Sequence, residues 1–141
     1  MTYDGIWYLI RRGDARTGYD LASHLYQHRR DQLGHDDPDT LAAATTLATV
    51  LRELGRYGKA RELDEDTLAR YRRIFGEDHP DTLTSASNLA VDLTALGEDQ
   101  AARELDEDTL ARRRRILGED HPDTLTSASN LAVDLRALSE T

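Results

Sequence analysis

Gly76-Glu77-Asp78-His79-Pro80-Asp81-Thr82-Leu83-Thr84-Ser85-Ala86-Ser87-Asn88-Leu89-Ala90-Val91-Asp92-Leu93 returns without a change as residues 118 to 135. Extending the match to Arg61 through Leu96 against Arg103 through Leu138 gives 36 pairs, of which only Tyr71/Arg113, Phe75/Leu117 and Thr94/Arg136 differ. The shift is 42 residues, and the three prolines of the chain, Pro38, Pro80 and Pro122, keep the same interval. A fixed period of this size marks a stacked array, in which no unit buries its apolar face alone. Near-identity of two units points to recent duplication, so the few differences carry most of what unit-specific information there is.

Each copy of the connector predicts a helix start. Proline presets φ for the first helical turn and needs no donor there, while Asp and Thr offer acceptors to free amides. Helices are expected from about Arg16 to Leu33, then from the Pro38 connector to Leu54, Tyr57 to Phe75, Asp81 to Leu96, Asp99 to Leu117, and from Asp123 onward. An earlier helix is expected over Tyr3 to Arg12, with Gly13 aligned to Gly55 and Gly97. Leu83, Ala86, Leu89, Ala90, Leu93 and Leu96 draw one stripe at helical spacing. Partner helices offer Ala60, Leu63, Leu68, Tyr71, Ile74 and Phe75, with Ala102, Leu105, Leu110, Ile116 and Leu117 as counterparts. Gly18, Ala60 and Ala102 are small enough for close backbone approach, as are Ala90 and Ala132. The expected organisation is one array over 1–141: a partial unit 1–34, units 35–76 and 77–118, and a partial unit 119–141 with a single helix.

Composition narrows the function classes. Apolar residues make up 38% and charged residues 32% of the 141 residues, with no cysteine and a net charge of −9. Disulfide and thiolate chemistry are excluded. Nucleic acid is not an expected partner, because phosphate binding requires clustered Lys and Arg. No apolar run approaches the ~20 residues of a membrane span, no export signal is recognisable, and the expected compartment is the cytoplasm. The basic run Arg112 to Arg115 follows an acidic segment, Glu104 to Asp108, in the order that suits a helix dipole, with Asp66/Arg70 and Asp108/Arg112 as i,i+4 pairs.

Sharper chemistry finds little support. His24 and His28 have the spacing of two metal ligands on a helix, but their counterparts in the other units are Asp66/Arg70 and Asp108/Arg112, and a structural zinc wants four ligands. His79 and His121 precede prolines and are read as shaping helix starts. Asp64/Glu65 has the form of an acid and base, but recurs with the repeat as solvated positions do. No metal or other cofactor is expected, and no enzymatic activity.

The connectors at 76–83 and 118–125, Asn88-Leu89-Ala90, Asn130-Leu131-Ala132, the turn Gly97-Glu98 and Ala102 resemble the tetratricopeptide repeat in its long 42-residue form, as in kinesin light chains and the arrays of bacterial signal-transducing NTPases. Thr46 and Asp37 replace the asparagine and histidine in the earlier unit, and Gly5 stands where Leu89 does. The resemblance implies an all-α fold, a right-handed superhelix (α-solenoid) of antiparallel helix pairs. It also implies that the first helix of each pair lines a concave face binding a peptide or partner protein.

By spacing, the face opposite the apolar stripe carries Thr84, Ser87, Asn88, Val91 and Thr94, then Thr126, Ser129, Asn130, Val133 and Arg136. The earlier counterparts are Thr45, Thr46, Thr49 and Arg52, and Tyr3, Trp7 and Ile10. An asparagine amide both donates and accepts, so Asn88 and Asn130 suit the backbone of an extended peptide. The leading expectation is a protein interaction module within a larger regulatory protein. Two others stand beside it: self-association through an uncovered last helix, whose Leu125, Ala128, Leu131, Leu135 and Leu138 lack a following partner, and a sensor segment of a signal-transducing NTPase.

Overall fold

The computed structural model describes residues 15–140, which form six helices and no strand: α1 (Ala15–Leu33), α2 (Pro38–Glu53), α3 (Tyr57–Phe75), α4 (Pro80–Ala95), α5 (Asp99–Leu117) and α6 (Pro122–Ser139). The expected helix over Tyr3 to Arg12 lies outside the described residues. Among the described residues no helix is long and apolar enough to cross a membrane.

Helix starts follow from the connector chemistry. Pro38, Pro80 and Pro122 each open a helix, preceded by an extended residue at φ −68, −65 and −67°. Asp37 Oδ1 accepts from the Asp39 amide at 2.9 Å. In the later copies the imidazole Nδ1 of His79 and of His121 accepts from the Asp81 and Asp123 amides, both at 3.1 Å. That geometry requires the Nδ1 lone pair, so the ring proton sits on Nε2. The histidines therefore shape helix starts, as expected.

The turns inside the pairs are equally explicit. Gly55 and Gly97 take φ of 77 and 79°, and the next amides, of Arg56 and Glu98, return to the Leu51 and Leu93 carbonyls at 2.8 Å. This is the six-to-one closure that a left-handed residue after a helix permits.

By their internal packing the residues form two compact units, divided between Arg70 and Tyr71. In the first, Ala22 of α1, Leu47, Val50 and Leu51 of α2 and Ala60 of α3 form the core, with Tyr19, Leu25 and Leu63 packed on it. In the second, α5 packs on both α4 and α6, and Leu83, Ala86, Leu89, Ala90, Leu93, Ala102 and Leu110 are buried. Each buried leucine contributes ~1.5–3 kcal/mol. Ala60 and Ala102 are fully enclosed, consistent with close helix approach.

Several expected core positions are open. Leu96 is exposed because it is the C-cap of α4, beyond the last turn that carries the stripe. Ile74, Phe75, Ile116 and Leu117, in the final turns of α3 and α5, are exposed as well, and so is Ala132 on α6.

Polar residues depart further from the expected pattern. Thr82, Ser85 and Asp92 on α4 and Thr124, Ser127 and Asp134 on α6 are buried at spacings of three and seven, and Asp106, Thr109 and Arg113 on α5 at spacings of three and four. Asp64, read from the sequence as solvated, is 1% exposed. A carboxylate tolerates such burial only with a compensating partner, and Arg52 Nη2 supplies one to Asp64 Oδ2 at 3.2 Å.

Outside, an ionic tie repeats with the sequence. Arg70 reaches both Asp36 and Asp66 at 2.8 Å, and Arg112 reaches Asp78 at 2.8 Å and Asp108 at 2.9 Å. Arg115 adds a second cation to Asp78 at 2.7 Å, and Arg114 meets Glu119 at 3.1 Å. The basic run of α5 is thus taken up by partners within the chain.

Because Asp37 performs the His79 role in the earlier copy, His79→Asp is expected to leave the thermal midpoint close to that of the original chain. His79→Ala should lose ~0.5–2 kcal/mol, the usual value of a lost N-cap, read by urea denaturation followed at 222 nm.

Candidate functional site

The residues expected to meet a partner occupy the first helix of each pair. On α4, Thr84 and Val91 are exposed and Ser87, Asn88 and Thr94 half-buried. On α6, Thr126, Ser129, Val133 and Arg136 are exposed and Asn130 is half-buried. On α2, Thr45, Thr46, Thr49 and Arg52 are all half-buried. Trp7, Tyr3 and Ile10 lie outside the described residues.

Their hydrogen bonds separate these positions sharply. The hydroxyls of Thr45, Thr46 and Thr49 donate to the carbonyls of Leu41, Ala42 and Thr45, four residues back, at 3.0–3.2 Å. Thr126 does the same to Pro122 at 3.0 Å. A hydroxyl has one proton, so these four keep only acceptor capacity for a ligand. Thr94 is more committed still: its oxygen lies 3.0 Å from the Ala90 carbonyl and 3.1 Å from Asp134 Oδ1. Arg52 is directed at the buried Asp64. The Ser87 oxygen is enclosed without a hydrogen bond, so it offers nothing to a partner in this conformation.

Asn88 and Asn130 are different. Neither side-chain amide makes a hydrogen bond to any described residue, although each is partly withdrawn from solvent. Each amide therefore keeps two donors and an acceptor for an outside group. They occupy the same position on α4 and α6, one repeat apart, within the same compact unit.

A cavity of about 150 Å³ opens beside Thr84. Leu83, Ile116 and Leu117 give it apolar wall, and Asp78, His121 and Arg113 contribute polar groups. Arg113 is buried, and its Nη1 donates to Ser127 Oγ at 2.9 Å and to the Asp123 carbonyl at 3.3 Å. Its Nε and Nη2 make no hydrogen bond to a described residue. Arg115 and Arg112 beside Asp78 hold its carboxyl below the usual carboxylate range.

Two of the three differences between the copies fall here. In the earlier copy Tyr71 and Phe75 take the places of Arg113 and Leu117, and their rings run on into His79, with centroids 5.9 and 4.7 Å apart. Aromatic bulk in that copy gives way to a guanidinium and a smaller side chain in the next. The sequence marked these positions as different, without showing that they share one cavity.

Among the described residues no three His, Asp or Glu side chains are placed to hold a metal ion, and His24 and His28 are exposed on α1.

Comparison with known proteins agrees with this architecture. The family model described as tetratricopeptide repeat matches residues 5–73, 39–115 and 85–141. Crystal structures of Podosopora anserina kinesin light chain nearly identical TPR-like repeats superpose with TM-scores of 0.93 and 0.92 at 26% identity, over 97% of this chain. The chain spans 65% of the length of those proteins. BtubC (BKLC) from P. vanneervenii has the same fold, with a TM-score of 0.84 at 18% identity, over 95% of this chain and 54% of that one. No curated protein matches. With the family model matched in three overlapping stretches from residue 5 to the last residue, the chain belongs to the tetratricopeptide repeat family, with repeats of the kinesin light chain type.

Proposed function

We propose that this chain is a non-enzymatic binding module that holds an extended peptide of a partner protein across α4 and α6. Tetratricopeptide repeats in general mediate protein–protein interaction. The observation that carries the peptide reading is the pair of equivalent amides, Asn88 and Asn130, which are partly buried and keep unspent donors, whereas the one other half-buried unspent donor of α4 and α6, the Ser87 hydroxyl, is enclosed. A peptide backbone offers alternating carbonyls and amides, and an asparagine can meet one of each whatever the side chains are.

Specificity then falls to the neighbours. Val91 and Val133 give apolar contact, and the cavity beside Thr84 admits one side chain of the partner. Its apolar wall and the open donors of Arg113 favour a residue with a carboxylate or amide oxygen at its tip.

A second reading, association with a second copy of this chain, has its own observation. Leu83 and Leu93 of α4 are 4% and 7% exposed, whereas their identical counterparts Leu125 and Leu135 of α6 are 54% and 45% exposed. Apolar side chains open on one face invite a cover.

Peptides enriched from a random display library on the intact chain provide the probe. Replacing both Asn88 and Asn130 with Ala should weaken binding of an enriched peptide ~10-fold or more, at ~1 kcal/mol per lost bond, with helicity and thermal midpoint unchanged. Arg113→Tyr with Leu117→Phe, which rebuilds the earlier copy's pairing, should keep the fold and reduce selection for acidic or amide side chains. Undiminished affinity in the double asparagine variant would remove these residues from the site. For the second reading, sedimentation should show a mass that grows with concentration and returns to that of one chain in Leu125→Glu with Leu135→Glu. A single-chain mass at every concentration contradicts it.

A further inference from the structure

The third difference between the copies removes a cation from a buried carboxylate. Positions 52, 94 and 136 are equivalent and hold Arg, Thr and Arg. Arg52 is paired with Asp64, twelve residues on. The same step from Thr94 reaches Asp106, which is 3% exposed and which an uncharged threonine cannot neutralise.

What faces Asp106 is a second carboxylate. Asp134 of α6 is 1% exposed and is the neighbouring carboxyl that acts on Asp106. The Thr94 hydroxyl is 3.1 Å from Asp134 Oδ1, whereas Asp134 Oδ2 is enclosed with no hydrogen-bond donor. Two ionised carboxylates cannot sit together away from water without a proton or a cation between them. Arg113 on α5 is the cation that acts on Asp106, drawing it down by less than burial and Asp134 push it up.

We propose that Asp106 and Asp134 share one proton, and that this proton takes the place of the guanidinium that Arg52 gives to Asp64, making the packing of α5 on α6 dependent on pH. A protonated Asp106 donates to the otherwise unserved Asp134 Oδ2. Two carboxylates, one guanidinium and one proton are then neutral together.

The groups acting on the pair come from each packed helix. Burial is the largest influence on Asp106, followed by Asp134 of α6, and together they push it up to about 8, while Arg113 of α5 draws it down. From α4 the pair meets the uncharged Thr94. The other buried carboxylate of α4, Asp92, stands two residues earlier, ~200° around the helix. Because the two sites interact, the proton belongs to the pair rather than to one residue.

A carboxyl whose folded value is raised contributes stability that is fully present at acid pH, below the unfolded value of 3.8, and lost as the pH climbs towards about 8. In that window the folded state holds one proton more than the unfolded chain, so the folding equilibrium falls ~10-fold per pH unit from this pair.

The test is a carbon-13 titration of the aspartate carboxyls of the intact chain, together with urea unfolding between pH 5 and 9. The original chain should show a carboxyl still titrating above pH 6. Asp106→Asn, whose amide donates to Asp134 without titrating, should abolish that signal and flatten the unfolding profile relative to the original chain. Thr94→Arg, which restores the Arg52 arrangement, should return the titration to the ordinary carboxylate range. The proposal is overturned if every aspartate of the original chain titrates below pH 5, or if Asp106→Asn leaves the late titration and the pH profile unchanged.

Discussion

Lateral burial of one helix face on its neighbour is the interaction from which the rest of this structure follows. Helices of 16 to 19 residues are marginal in water on their own, and the charged partner helices have little apolar surface to spare. The chain meets this by enclosing alanines where backbones approach, Ala60 and Ala102, and by placing leucines beside them. The proline-led connectors and the glycine turns then fix where each helix starts and stops, so that the same faces meet each time.

Such packing leaves no room for an uncompensated charge, and the buried aspartates show how the repeat accommodates that constraint. Asp64 has Arg52. Asp106 has Asp134 and Arg113 acting on it, and the equivalent of Arg52 is the uncharged Thr94. Further along the same helix, a guanidinium and a smaller side chain, Arg113 and Leu117, line a cavity at the positions where the earlier copy has the rings of Tyr71 and Phe75. Three substitutions in otherwise identical units thus alter one internal charge balance and one surface opening.

The helices and their caps were legible because their signals are local. Pro80 after His79, Gly97 after Leu96 and the Leu83-to-Leu93 stripe each state a backbone requirement within a few residues. The enclosed aspartates were not legible: Asp64 and Asp106 sit in acidic runs, Leu-Asp-Glu-Asp, that look solvated, and only the partner helix decides which carboxylate is turned inward. A signal was nonetheless present, since Asp64, Thr67 and Tyr71 share helical spacing with one another. For the candidate site, the sequence placed Asn88, Asn130, Val91 and Val133 on one kind of face. It did not reveal that Thr45, Thr46, Thr49 and Thr126 spend their protons on their own helices, or that Thr94 is bound to Asp134.

Residues 83 to 93 and 125 to 135 separate lateral burial from intrinsic helix stability, because identical sequence means identical helix propensity while burial differs. Amide hydrogen exchange on the intact chain, resolved for each residue, compares them directly. If burial against neighbours holds these helices, the amides of α4 should exchange ~10-fold or more slowly than their counterparts in α6. Equal protection in the two segments would mean that propensity and capping suffice, and would contradict the account.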